Sequence, residues 1–141
     1  MATVKRFEDL EIWKVAIEQA DEIFKLTQTE KFSKDFSVKN QINNSSGSVM
    51  ECIAEGFERF SNKEFSQFLV IANGSNKEVR LQLYRAFDRF YISGEILQTR
   101  LNFSIHLGNK IKSFIDYLQV SKFKSKPKAG DPEHPTSNNE S

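Results

Sequence analysis

An all-α fold, an antiparallel up-down-up-down four-helix bundle, is what this 141-residue sequence predicts, on three observations. Apolar residues recur at spacings of three and four through four separate segments, the period that lines one face of a helix. All three prolines, Pro127, Pro132 and Pro135, lie beyond those segments, so none is forced to break. The later segments are joined by only a few residues, and connections that short require antiparallel neighbours.

The first segment carries Leu10, Trp13, Ile17, Ala20 and Phe24, and should end near Thr27, before the polar run "QTEKFSKD". Ser37 is the expected N-cap of the second, because its hydroxyl can accept from a free first-turn amide. That helix shows Val38, Ile42, Val49, Ile53 and Phe57 on one stripe, with the small polar run "NNSSGS" in the middle. Ser61 and Glu64 form a capping-box signature for the third. Its stripe, Phe65, Phe68, Leu69, Ala72, Val79, Leu83, Ala86, Phe87 and Phe90, should reach about Tyr91. Ser93 caps the fourth, with Ile96, Leu97, Leu101, Leu107, Ile111, Phe114, Ile115 and Leu118. Residues 1–121 form the bundle domain in this reading. Residues 122–141, "KFKSKPKAGDPEHPTSNNES", have too few large apolar groups to offset ordering entropy and read as a disordered polar tail.

The chain is long enough to bury a core without disulfide or metal staples, and its one cysteine, Cys52, precludes an intrachain disulfide. No apolar run approaches the length of a membrane span, and "MATVKRFEDLEIW" has no signal-peptide h-region. A cytoplasmic setting, with no membrane partner, follows as the expectation. Net charge is only +1, short of the bulk basicity of a dedicated nucleic-acid binder. The charge is unevenly spread. From Phe7 to Glu30, Glu8, Asp9, Glu11, Glu18, Asp21, Glu22 and Glu30 face only Lys14 and Lys25; Asn76 to Lys112 is predominantly basic.

Three stretches resemble a known family. "FEDLEIW" is similar to a Phe-x-x-Leu-x-x-Trp helix start; Gln41-Ile42 followed by "IAEGF" (Ile53 to Phe57) and Ser61, Lys63, Glu64, Phe65, Phe68 and Leu69 match a central block; Gly74, Ser75 and Glu78 match a Gly-Ser-x-x-Glu element. Together, over about Phe7 to Leu118, they resemble the bacterial four-helix-bundle family of ribosomal RNA intervening-sequence proteins. The chain departs from that pattern after Gln41-Ile42, where Asn43 and Asn44 replace the usual arginines. The resemblance implies a subunit that assembles into rings, commonly pentamers. It also implies an association with RNA or an RNA-handling protein, with no established enzymatic activity.

No residue set satisfies a catalytic pattern. There is no Gly-x-Ser-x-Gly elbow and no phosphate-binding Gly-x-x-x-x-Gly-Lys-Ser/Thr loop. Cys52 has only His106 and His134 as possible bases, and Glu51, Glu55 and Glu58 share a helix face without a Glu-x-x-His partner. The expectation is therefore a non-enzyme with no cofactor and no metal. Arg80, Arg85, Arg89 and Arg100 are the candidate phosphate contacts of an RNA-associated adaptor. The alternative is a ring-forming scaffold that binds only protein. Ser45, Ser46, Gly47, Glu55, Gly56 and Glu78 are the candidate packing or interface residues. Thirteen Phe in so short a chain suggest apolar surface left over for self-association. Gly56 should lie where helices pack closely; Gly56→Leu is expected to overpack the contact and Gly56→Ala to do little if the residue is helical.

Overall fold

A computed structural model describes residues 4–121; the expected tail lies outside them. Among the described residues the structure is all α, without strands. A 3-10 turn at Phe7–Asp9 precedes α1 (Glu11–Thr27), a short α2 (Glu30–Ser33), α3 (Phe36–Phe57), α4 (Asn62–Asp88) and α5 (Gly94–Val120). α3 packs most extensively on α4, and α4 on α5, while α1 lies against α3 and, less closely, α5.

The interior falls into two apolar clusters. One gathers around Phe65 and takes in Ile12, Ala16, Val49, Ile53, Phe57, Leu69, Ala72, Leu107, Ile111 and Leu118. The other gathers around Ile23 and takes in Phe32, Val38, Ile42, Val79, Leu83, Ala86, Leu97 and Leu101. Each long helix crosses between them through one buried polar residue: Gln19 in α1, Ser46 in α3, Asn76 in α4 and Ser104 in α5. Three of these are joined. Gln19 Nε2 donates to Asn76 Oδ1 (3.1 Å), Asn76 Nδ2 to the Ser104 carbonyl (2.9 Å), and Ser104 Oγ back to Asn76 Oδ1 (2.9 Å). Buried amides need such partners. A helix shifted by one turn would strand its polar group among apolar neighbours, so the layer also fixes register.

Several expectations are corrected. The buried face of α1 is Ile12, Ala16, Gln19, Ile23 and Thr27, not the Trp13–Ile17–Ala20–Phe24 stripe, and Phe24 is 54% exposed. The run after Thr27 contains α2, whose Phe32 is fully buried. The N-cap of α3 is Asp35, which accepts from Val38 N at 3.2 Å, rather than Ser37. Ser61 and Ser93 cap α4 and α5 as expected, accepting from Glu64 N and Ile96 N. α4 ends at Asp88, and Phe87 and Phe90 lie outside the core. At the opposite end of α4, Asn62 Nδ2 donates to the carbonyls of Leu118 and Ser121, both at 2.9 Å, tying down the last turn of α5.

Candidate functional site

At the corner between the start of α3 and the end of α4, side chains from both ends converge on one carboxylate. Asp35 both caps α3 and accepts from Arg89 Nη1 and Tyr91 Oη, each at 2.7 Å. The Tyr91 hydroxyl, then the Arg89 guanidinium and the Val38 amide, hold the Asp35 carboxyl at about 2, below its ordinary 3.8. Tyr91 in turn stacks on buried Phe32, with centroids 5.2 Å apart.

Between Arg89 and Tyr91, Phe90 has φ of 66°. Phe90 N donates to Phe87 O (3.0 Å) and Tyr91 N to Ala86 O (2.9 Å), the paired closure of a Schellman helix end. Glycine is the usual residue at that left-handed position, because a Cβ there costs about 1–2 kcal/mol. Phe90 gains no burial in return, being 81% exposed. Phe36, next to Asp35, is 68% exposed with Lys39 Nζ 5.7 Å from its ring centroid.

The four candidate arginines do not converge on one patch. Arg85 and Arg89 lie on the α3–α4 seam: Arg85 Nη1 donates to Gln41 Oε1 and Gln82 Oε1, both at 3.0 Å, and Arg89 is paired with Asp35. Arg80 instead joins the α4–α5 seam, donating to Ser104 Oγ at 3.1 Å and extending the buried layer. Arg100, on α5, lies over the Phe103 ring at 5.0 Å and keeps a buried Nη1 without a hydrogen-bond partner. Arg85 is held by neutral amides, whereas Arg89 is paired with a carboxylate.

The packing candidates also divide. Gly56 is buried against the start of α4; a Cβ there would lie 2.8 Å from Phe65 Cδ1 and 2.9 Å from Phe68 Cβ. Even alanine must displace a buried ring, so the expectation that Gly56→Ala does little is replaced by one of clear destabilisation. Ser46 is buried and donates to Asn43 O (3.2 Å), and nearby Ser48 meets Ser75 of α4 at 2.9 Å, so part of the small-residue run does serve close packing. Ser45 and Gly47 are half-buried, and a Cβ at Gly47 would meet nothing closer than Glu51 Oε2 at 4.0 Å. Glu55 pairs along its own helix with Arg59 (2.7 Å) rather than across helices, and Glu78 is exposed. Asn43, one of the two asparagines that depart from the resembled pattern, donates to Thr27 Oγ1 of α1 at 3.1 Å.

Two shallow grooves flank α5. One, of about 390 Å³, runs between Lys63, Gln67 and Val70 of α4 and Ile115 and Leu118 of α5. The other is crossed at one side by the Lys110–Glu11 ion pair (3.0 Å) and passes exposed His106. Cys52 is half-buried, packed against the Phe65 cluster with Ser48 Oγ 3.9 Å from its sulfur. Among the described residues no three His, Cys, Asp or Glu side chains gather as a metal site would require. No helix there is long and apolar enough to cross a membrane.

The fold is that of an all-α protein, whose surface carries a charged, aromatic corner. Within that class, the chain belongs to the 23S rRNA-intervening sequence protein family, whose model matches residues 8–113. It is similar to the crystal structure of a protein with unknown function from the S23 ribosomal protein family of Bacteroides thetaiotaomicron. The two share 25% identity over 74% of this chain and 97% of that one, with a TM-score of 0.67. No curated protein matches the chain.

Proposed function

We propose that this protein is a non-catalytic, cytoplasmic, RNA-associated adaptor whose subunit is an antiparallel up-down-up-down four-helix bundle and whose working form is a homo-oligomer, with five copies preferred. The observation that carries the RNA reading is Arg85 on the α3–α4 seam, held there by the neutral amides of Gln41 and Gln82 rather than by a carboxylate. Membership of a family named for ribosomal RNA intervening sequences supports the same partner. Repetition around a ring would multiply a modest patch, because each neutralised phosphate releases counterions.

A second reading, a ring that binds only protein, draws support from α1. Its outer stripe of Trp13, Ile17, Ala20 and Phe24 is incompletely covered and stands among Glu18, Asp21 and Glu22. Light scattering measures the assembly, and filter binding of structured RNA across a salt series measures the partner. Binding that weakens steeply with salt, with a shallower slope for Arg85→Gln, supports the adaptor. Absence of RNA binding at low salt leaves the scaffold, and a stable monomer at micromolar concentration overturns both.

A further inference from the structure

Resting on the homo-oligomer proposed above, we infer that copies of this chain join head to tail, the Phe90 ring of one entering the α4–α5 groove of the next. Ring and groove stand at opposite ends of the same helix pair. Phe90 lies between the end of α4 and the start of α5. The groove lies where Lys63, Ser66, Gln67 and Val70 at the start of α4 meet Ile115 and Leu118 at the end of α5. α4 has 27 residues, so about 40 Å of helix separates the two. A chain cannot fill its own groove with its own ring across that distance; a second copy can.

Phe90 takes a left-handed backbone that suits glycine, and with 81% of it facing solvent the single subunit gains nothing from the side chain. The backbone on both sides of it is fixed. Phe90 N and Tyr91 N close the helix end on Phe87 O and Ala86 O, while Arg89 and Tyr91 both bond Asp35. A site ordered in advance loses little freedom when it docks. The groove has room for it, at about 390 Å³ with Val70 exposed and Ile115 half-buried along it. An apolar cavity of about 150 Å³ already admits a benzene ring.

Charge points to a second copy as the occupant. Asp88, exposed as the last residue of α4, sits where the free carbonyls of the helix end concentrate negative charge; Lys63, exposed in the first turn, sits where the free amides concentrate positive charge. Each opposes its own helix end, and neither forms an ion pair among the described residues. Asp88 is two residues from Phe90 and Lys63 lines the groove, so docking brings each to the charge that its own helix end does not supply. Exposed Glu95, in the first turn of α5, makes the Phe90 end more acidic still. A contact between unlike surfaces leaves an open ring and an open groove on every pair, so it propagates until it closes on itself. A like-on-like contact would stop at two copies.

The test is light scattering on the full chain at micromolar concentration. Phe90→Gly and Val70→Asp should each reduce the wild-type assembly to single chains that keep the helical circular dichroism of wild type, since neither side chain is part of the core. Mixed, the two variants should form a two-chain species and nothing larger, because the intact ring of the Val70→Asp chain still fits the intact groove of the Phe90→Gly chain. Asp88→Lys should weaken association about tenfold although it suits the helix end, and adding Lys63→Asp to the same chain should restore it. If wild type assembles and either single variant keeps its size, or the mixture stays as single chains, this contact is wrong while the oligomer stands. If the charge swap fails to restore association, the pairing of Asp88 with Lys63 is wrong and the inference is overturned with it. If wild type is itself a single chain, the oligomer and the contact fall together.

Discussion

The two halves of the interior use their aromatic residues in opposite ways. In the Phe65 half the rings face one another: Phe57 on Phe65, Phe65 on Phe114, Phe114 on Tyr117, and Phe7 on Trp13, with centroids between 5.2 and 6.2 Å. In the Ile23 half the core is mainly aliphatic, with Phe32 and Tyr91 its aromatic contact, while Phe24, Phe36, Phe87 and Phe90 stand at the surface. Large rings supply the most apolar area per residue, so a fold optimised only for stability would bury them. One half turns its rings on one another inside the chain, and the other leaves several of its rings open to solvent.

The sharpest way to break this comparison is to remove a ring from each half. Phe65→Ala opens a cavity among Phe57, Phe114 and Gly56 and should cost about 3–5 kcal/mol by urea denaturation. Phe36→Ala, at the exposed corner, should stay within about 0.5 kcal/mol of wild type. Equal losses at both sites would erase the distinction. The layer between the halves comes next. Asn76→Leu removes the partner of the Gln19 amide and of the Ser104 hydroxyl and carbonyl, and should cost about 2 kcal/mol in the same assay. Adding Gln19→Leu and Ser104→Ala should recover part of that loss, since the stranded Gln19 amide and Ser104 hydroxyl are then gone.

Gly56→Ala follows in size. Despite alanine's better helix propensity, the contact with Phe65 and Phe68 should make it destabilising by about 1–2 kcal/mol, with Gly56→Leu worse. The smallest effect is one of pH. Asp35 titrates lower in the folded chain, near 2 against an ordinary 3.8, so its contribution is present above the ordinary value and is lost as pH falls towards 2. Urea midpoints measured down that window should fall less steeply for Asp35→Asn than for wild type.

Helical class, the whole α3 stripe and most of the α4 and α5 stripes can be read from the chain, the misses being Phe87, Phe90 and Ile96 at the end of α4 and the start of α5. The stripe of α3, Val38 to Phe57, is buried as the period requires. α1 has two solutions. Trp13 and Phe24 make the outer face the more apolar on paper, while the true inner face includes Gln19 and Thr27, whose partners Asn76 and Asn43 come from other helices. No local signal announces those pairings. The α3 cap fails for a related reason: Asp35 and Ser37 are both competent, and the choice is made with Arg89 and Tyr91, far along the chain. Phe90 continues the apolar period of α4, and no glycine marks the turn, so its left-handed backbone had no warning in composition. Of the arginines, Arg80, Arg85 and Arg89 all fall on the third predicted helix, and nothing in their spacing says that Arg80 faces a different seam from the other two.

The polar layer also bears on how the protein opens. It separates two oily compartments, yet α1, α3, α4 and α5 each run through it without a break. A compartment can lose its packing alone only if four helices fray at the same level, and each would then expose an amide or hydroxyl on the remaining side. The layer is therefore a clasp rather than a hinge. Amides on both sides of it, around Ala72 and Val79 in α4, should exchange with solvent through one shared opening of the whole molecule, while those at the Phe90 helix end, held by two closing bonds, exchange through local fraying.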